Sequence, residues 1–309
     1  MQIGVALGGN SKRADQSAQI ARAQDLEARG FASIWIPNVF GHDAITIAAL
    51  LGRKTKRIEL GTAVVPTYPR HPAALAQQAL TAAVACSGRF TLGIGLSHPA
   101  VIEGLLGLSY ARPARHMREY LAVLNPLLHG APARFSGERY RVDMALGVPK
   151  AEPVPLLIAA LGSRMLDIAG RESSGTILWM TGPRAIERHI APKLRAAARQ
   201  AGKTMPRIVA GMHIALTHDP QAATKRIGSM LALYSQMPSY RAMLEMEGSE
   251  EIQNLALVGD ESVLDAGLER LRNLGVTDFE ASIVRTEDGS EERTLRYLES
   301  RIDTCAKTQ

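Results

Sequence analysis

The sequence predicts an α/β protein, a (β/α)8 TIM barrel with insertions on the loops at its C-terminal face, running as one domain over residues 1–309. Three observations carry that prediction. Eight short β-branched or apolar runs recur, separated by Ala-, Leu- and Arg-rich stretches long enough for helices. Several of the runs lack period-two alternation, as suits parallel strands covered on both faces. The doubly wound alternative needs GxGxxG after its first strand, whereas GGNSKRAD (8–15) follows here and GIGLSHPAVIEG (93–104) keeps only a GxG.

The elements follow in order. QIGVAL (2–7) is the first strand, and residues 14–29 form a helix through Ile20, Ala21 and Leu26 that stops at Gly30. SIWI (33–36) leads into the short, polar loop PNVFGHD (37–43), and IELGTAVV (58–65) is strand three. Pro72 opens a helix over 72–87 that Gly88 closes, before RFTLGIG (89–95) and a helix over 112–128. Residues 129–154 break the rhythm: ARFSGERYRVD (133–143) reads as a hairpin followed by a proline-bounded loop. PLLIAA (155–160), a helix over 163–171, GTILWM (175–180), a helix over 182–201 and IVAGMHIAL (208–216) restore it. A second insertion, 217–257, holds helical stretches around Pro220 and Pro238. The chain then gives a helix over 260–274 ending at Gly275, the strand DFEASIV (278–284) and a last helix over 290–306. Such insertions usually sit where barrel ligands bind.

Composition excludes several function classes. With 46% hydrophobic and 21% charged residues the chain is not a disordered one. No run approaches the ~18 apolar residues of a membrane span, and MQIGVALGG lacks the marks of a secretory signal, so a cytoplasmic protein without a membrane partner is expected. Cys86 and Cys305 are far apart and lack metal-ligand spacing, so neither a disulfide nor a metal site is expected. The net charge of +6 comes from scattered basic residues, and aromatics make up only 5%. That pattern suits an anionic small molecule better than nucleic acid. GxSxG and HExxH are both missing, which leaves serine-hydrolase and zinc-protease chemistry unsupported.

A barrel presents its functional groups just past the carboxyl ends of its strands. Those positions hold Asn38, His42 and Asp43, then GTAVVPTYPRHP (61–72), GIGLSHP (93–99), AALGSRMLDIAG (159–170), TILWMTGP (176–183) and the neighbourhood of His213. LGTAVVPTYPRHPAALAQQALT (60–81), SGRFTLGIGLSH (87–98), ARPARHMREYL (111–121) and IAALGSRMLDIAGRESSGTILWMTGP (158–183) stand in the same order as in a known family. The chain resembles the bacterial luciferase-like flavin and deazaflavin oxidoreductases, above all their coenzyme F420-dependent branch.

That resemblance implies a cofactor ring laid across the C-terminal mouth, beside Asn38, Ser97, Met180 and Thr181. It implies a bulged strand three with a cis peptide between Ala63 and Val64 against the ring. It places the phosphate of the cofactor tail near Ala160, Leu161 and Gly162 at a helix N-terminus, with Arg164 adding charge and Gly175 approaching from the next strand. His98 is the expected catalytic residue, since an imidazole titrates near neutral pH and suits proton donation. Some F420-dependent relatives carry a carboxylate near this point, and the alternative role for His98 is to cap the next helix or to contact the ring only by packing. Phe40, His42 and Leu96 are the expected substrate pocket; the segment 39–43 departs from the histidine and tryptophan of the sugar-phosphate dehydrogenases, which argues against such a substrate.

Arg70 and His71 either bind acidic groups or orient the helix at Pro72. Arg112, Arg115 and His116 either face an acidic tail or form a basic helix face on which Arg115 pairs with Glu119. The expected activity is hydride transfer between F420 and a small, apolar unsaturated or carbonyl/alcohol substrate. FMN-dependent monooxygenation with O2 is the alternative, and a non-catalytic ligand-binding barrel is a third reading. F420 carries carbon where flavin has the ring nitrogen that enables oxygen chemistry, and its several negative charges match the basic excess. A homodimer is the expected assembly.

Overall fold

The computed structural model describes residues 1–7, 15–149 and 151–306, with side chains through Ile302 in the last stretch. The segment GGNSKRAD (8–15) lies outside the described residues apart from Asp15, as does the side chain of Cys305.

Eight parallel strands close into a barrel: β1 (Gln2–Ala6), β2 (Ser33–Ile36), β3 (Glu59–Thr62) continued by β4 (Val65–Pro66), β5 (Phe90–Gly95), β8 (Leu156–Ala159), β9 (Gly175–Trp179), β10 (Arg207–Leu216) and β12 (Asp278–Ile283). Closure is direct, because β12 pairs with β1 from Gln2↔Asp278 onward. The hairpin expected in the first insertion is β6 (Ala133–Ser136) with β7 (Arg141–Met144), antiparallel and apart from the barrel.

Helices α1 (Gln16–Ala28), α2 (Ala44–Gly52), α3 (Pro72–Ala85), α4 (Pro99–Ile102) and α5 (Pro113–Leu128) belong to the first half. Helices α6 (Ser163–Glu172), α7 (Pro183–Ala185), α8 (Ala191–Gln200), α9 (Pro220–Leu231), α10 (Pro238–Glu247), α11 (Glu261–Asn273) and α12 (Ser290–Ala306) belong to the second. Their starts are chemically marked. Asp15, Asp43, Asp219 and Asp260 each accept a backbone N–H of the first turn, at 2.8 to 3.0 Å. Proline stands at the first turn of α3, α5, α9 and α10, where no N–H is needed. Gly88 (φ 80) and Gly275 (φ 78) follow α3 and α11 in the left-handed region that a side chain disfavours.

Strand three is two pieces, β3 and β4, separated by the cis Ala63–Val64 bond, the bulge that the resemblance implied. Three details differ from the sequence expectation. The short α2 had not been singled out: AITIAALLG is apolar nearly all round and mixes in β-branched residues, so it has no helical stripe. The expected helix over 182–201 contains a π-turn, Ile186–Ile190, in which Ala191 N–H reaches back to Ile186 O. Pro192 is the next residue and has no N–H to continue an i→i−4 ladder. Finally, the second insertion ends in a short strand, β11 (Leu257–Gly259), that pairs with the outer part of β10.

The main core lies between strands and helices and is built from Leu, Ile and Ala. A second cluster fills the barrel itself: Trp35, Leu157, Ile177 and Val209, with Ala63, Val64 and Ala159 against them. Glycines make room for the large indole, since a Cβ on Gly61 would stand 2.3 Å from Trp35 Cζ3. Beneath it Arg207 reaches across the barrel to Glu59 (2.7 Å) and Asp278 (2.6 Å), and its guanidinium lies 5.4 Å from the Trp35 ring. The N-terminal end of the barrel is thereby plugged by an ion cluster, and its other end remains for ligands.

Candidate active site at the barrel mouth

The mouth takes its shape from the bulge. Thr62 Oγ1 donates to Gly93 O and accepts from Gly93 N–H, both at 2.8 Å, in place of the strand ladder. A Cβ on Gly93 would stand 1.9 Å from Thr62 O, and one on Gly95 would meet Val64 Cγ2 at 2.7 Å. The glycine alternation in FTLGIG is what admits the displaced strand.

β5 delivers Leu96, Ser97 and His98, all half-buried. Ser97 takes φ +57, and its carbonyl accepts from Tyr110 Oη at 3.2 Å. His98 starts α4 through its backbone alone; its side chain makes no capping bond and is free for other work. The imidazole lies edge-on to Tyr234 (6.2 Å) and tilted on Tyr240 (6.0 Å), two residues of the second insertion. Burial lowers its pKa, which keeps the ring neutral near pH 7.

After β8, the buried Ala160 and half-buried Leu161 lead to Gly162, the N-cap of α6. Gly162 supplies no capping side chain, so the first N–H groups of α6 point outward without that partner. Arg164 is exposed and has no ion-pair partner among the described residues. Lys193 Nζ donates to Ser163 Oγ at 2.6 Å, and His189 Nε2 lies 2.8 Å from Leu161 O. An uncapped helix N-terminus with Arg164 and Lys193 beside it forms a cradle that can attract an anion.

Other candidates are placed less directly. Asn38 Oδ1 accepts from Ala44 N at 3.1 Å and so also orders the start of α2. Phe40 is 74% exposed and His42 is exposed too, so both stand on the rim. Met180 is fully buried, with its sulfur accepting from His213 N at 3.4 Å, and the buried Thr181 donates to Trp179 O. Gly175 is not brought to the cradle: it begins β9 at the N-terminal end of the barrel, packed on the Arg207 backbone. The reason is strand direction, which puts the first residue of β9 a full strand length from the mouth.

The basic residues around α5 are engaged. Arg70 pairs with Asp43, His71 accepts from Ala73 N at the start of α3, and Arg112 and Arg115 both pair with Glu138. Arg115 also bonds Glu119 at 3.0 Å, the pairing expected from their spacing. His116 is buried with Nε2 2.9 Å from Thr67 Oγ1 and its ring stacked at 3.9 Å on Tyr68. Burial pushes its pKa down to about 4. A surface concavity of about 240 Å³ is lined by Arg22, Arg285, Glu291 and Glu292, beside α1 and the start of α12, and its charges pair with one another or with neighbours.

Tyr234, Tyr240, Lys193 and His189 had no sequence signal, because the contacts that define them span long stretches of chain. Deeper in the barrel, Glu280 is 4% exposed, and burial lifts its carboxyl to a pKa of about 8. His213, one layer nearer the mouth, stands edge-on to Trp179 at 5.1 Å and is held neutral by burial.

A model of the luciferase-like monooxygenase family matches residues 1–278. The chain belongs to that family. Among its relatives, this luciferase-like protein is 28% identical to a Mycobacterium tuberculosis protein named as a candidate coenzyme F420-dependent oxidoreductase, over 76% of this chain and 72% of the relative. It is similar in structure to the coenzyme F420-dependent tetrahydromethanopterin reductase of Methanopyrus kandleri, with a TM-score of 0.79, 20% identity and 98% of each chain covered. It is equally similar to the EDTA monooxygenase of Chelativorans, at a TM-score of 0.79 and 14% identity, over 98% of this luciferase-like chain and 93% of that one. Among the described residues no helix is long and apolar enough to cross a membrane.

Proposed function

We propose that this luciferase-like protein is a coenzyme F420-dependent oxidoreductase that moves a hydride between the deazaflavin and a small, apolar unsaturated or carbonyl/alcohol substrate. The observation that carries the reading is the cradle at α6: an N-terminus without a capping side chain, flanked by exposed Arg164 and by Lys193 on Ser163. A phosphate-bearing tail fits it by charge and by the lack of a side chain at Gly162, whose Cβ position has nothing within 4 Å. The ring's place is the bulge at Ala63–Val64, with Ser97, Met180 and Thr181 around it. When bound, the deazaflavin supplies the hydride-carrying carbon.

The chain's own residues do the rest. Val64 and the glycines of β5 set the surface on which a flat ring rests. Neutral His98 takes the proton from a substrate hydroxyl, or returns it to a carbonyl oxygen, while Tyr234 and Tyr240 hold its imidazole. Phe40, His42 and Leu96 offer the substrate an uncharged approach.

FMN shares the ring shape and the phosphate. What favours F420 is the naming of the Mycobacterium tuberculosis relative and the net charge of +6, which suits a tail with several negative charges. The working form on this reading is a cytoplasmic homodimer acting on a small molecule, without nucleic acid or membrane, and light scattering tests the dimer. Oxidation of reduced F420 with a panel of ketones and enones, with and without O2, tests the reaction. Substrate-dependent oxidation that ignores O2 supports hydride transfer, and strict dependence on O2 contradicts it.

A further inference from the structure

Glu280 is a carboxyl without an explanation in the fold. It is buried, and its side chain has no hydrogen-bond or ion-pair partner among the described residues. It faces the barrel interior, because a Cβ on Gly211 of the neighbouring strand would stand 2.7 Å from Glu280 Oε2 and 3.0 Å from Trp179 Cε3. Register places it in one row of the wall, Ser33–Gly4–Glu280–Gly211–Trp179, in which glycine stands on each side of the acid. Ser33 Oγ, Trp35 Nε1 and Trp179 Nε1 are buried without partners in the same interior. Buried polar groups of native proteins rarely stay unpaired, and ordered water is the usual partner where protein supplies none.

His213 occupies the next layer toward the mouth. It is two residues beyond Gly211 on β10 and opposite Ser282, itself two residues beyond Glu280 on β12. The step between layers is roughly 6.6 Å along the strands, a gap that the reach of the two side chains and intervening water can close. His213 Nδ1 lies 3.4 Å from Ser282 O; in the tautomer that donates there, Nε2 is left as an acceptor.

We propose that Glu280 and His213 form a proton store inside the barrel that serves the ring side of hydride transfer, with Glu280 as the acid and His213 as the carrier to the mouth. The inference rests on reading the mouth as a deazaflavin site. A hydride added to an oxidised ring brings two electrons and one negative charge, and a proton neutralises it. The Glu280 O–H bond breaks as the His213 Nε2–H bond forms through water that gains one proton and loses one, which leaves a carboxylate and an imidazolium; a deazaflavin bound at the mouth would draw its proton from that Nε2–H, while Nδ1–H stays on Ser282 O. The substrate loses its hydride to the ring and its hydroxyl proton to His98, so charge and atoms balance. Glu280 and His213 are positioning and relay groups here, and His98 keeps the substrate.

The other charged groups facing Glu280 lie below it: Arg207 from β10, Asp278 from β12 and Glu59 from β3, tied into one ion cluster. The elements β1, β2 and β9 present Gly4, Ser33, Trp35 and Trp179 there, none of which titrates in the accessible range.

The test uses the ligand-free protein with labelled histidine, His213 being assigned by loss of its resonance in His213→Gln. In the wild type the His213 Cε1–H shift should show an inflection near pH 8, where Glu280 ionises, and Glu280→Gln should abolish it. Identical titrations in the two proteins would overturn the pairing. Should Glu280→Gln fail to fold, the infrared band of the protonated carboxyl decides: it should move in His213→Gln, and an unmoved band overturns the proposal. In the F420-loaded protein, ring reduction should draw a proton fewer from unbuffered solvent in the wild type than in Glu280→Gln. Hydride transfer without the His213 inflection sinks the store alone, and an inflection in a protein that binds no ring sinks the reading of the mouth and the store's role with it.

Discussion

Thr62 and Gly93 bond each other twice: the Thr62 hydroxyl donates to the Gly93 carbonyl and accepts from the Gly93 N–H, each at 2.8 Å. Both groups are buried, and the pair fixes where strand three leaves the ladder and turns toward the mouth. Thr62→Val therefore strips partners from a buried N–H and a buried C=O, at about 2–4 kcal/mol. Urea unfolding measures it, and a loss below ~0.5 kcal/mol would show that water replaces the hydroxyl. Gly93→Ala, whose Cβ would meet Thr62 O at 1.9 Å, should cost more and should weaken ring binding as well.

The ion cluster under Trp35 gives a second prediction. Arg207→Met leaves Glu59 and the buried Asp278 without their shared cation, which should destabilise the protein by about 3–5 kcal/mol. Replacing all three by apolar residues of similar volume should recover most of that loss in the same assay. A triple variant no more stable than Arg207→Met would mean that the cluster is not the isolated unit its geometry describes.

His116 makes the protein sensitive to acid. Its pKa is about 4 when folded, against an ordinary value of 6.5, so the unfolded chain binds a proton between these pH values that the folded one refuses. Stability should therefore fall as pH drops from 6.5 to 4, by about 3 kcal/mol in all. Subtracting the profile of His116→Gln from that of the wild type isolates this slope; parallel profiles would assign the acid sensitivity elsewhere.

At the cradle, Arg164→Ala and Lys193→Ala should each weaken binding of a phosphate-bearing cofactor roughly 10- to 150-fold, the range expected for one charge-assisted contact. The same variants should leave binding of a tail-less ring analogue unchanged. Equal losses for both ligands would remove these residues from the tail site.

His98→Ala should keep cofactor affinity and lower turnover about 10²- to 10⁴-fold, the usual contribution of a general acid or base. Stopped-flow measurement of ring absorbance separates the two quantities, and parallel loss of both would return His98 to a packing role beside Tyr234 and Tyr240.

The sequence shows much of this design, with its gaps where physics is nonlocal. All eight barrel strands were legible, because parallel strands buried on both faces read as β-branched runs, and proline and glycine punctuate the helices between them. The hairpin expected in 133–143 was legible too, and β6 and β7 form it. The bulge followed from resemblance, and the alternating glycines of β5 are its local trace. Tyr234 and Tyr240 were hidden, since only the folded insertion brings them to His98 from more than a hundred residues away. Lys193 was hidden because its partner Ser163 lies on another helix. Glu280 and Arg207 were not singled out in the sequence, and only closure of the barrel shows that they point inward. Gly175 was misplaced toward the phosphate because its segment could be recognised while its end of the strand could not.

The central claim is that the mouth of this barrel holds a deazaflavin ring whose anionic tail lies on α6. Titration of the protein with F420 and with FMN, followed by ring fluorescence, tests it most directly. The account predicts saturable binding of F420, tighter than FMN and weakened by Arg164→Ala. Absence of a saturable signal with either compound would contradict it.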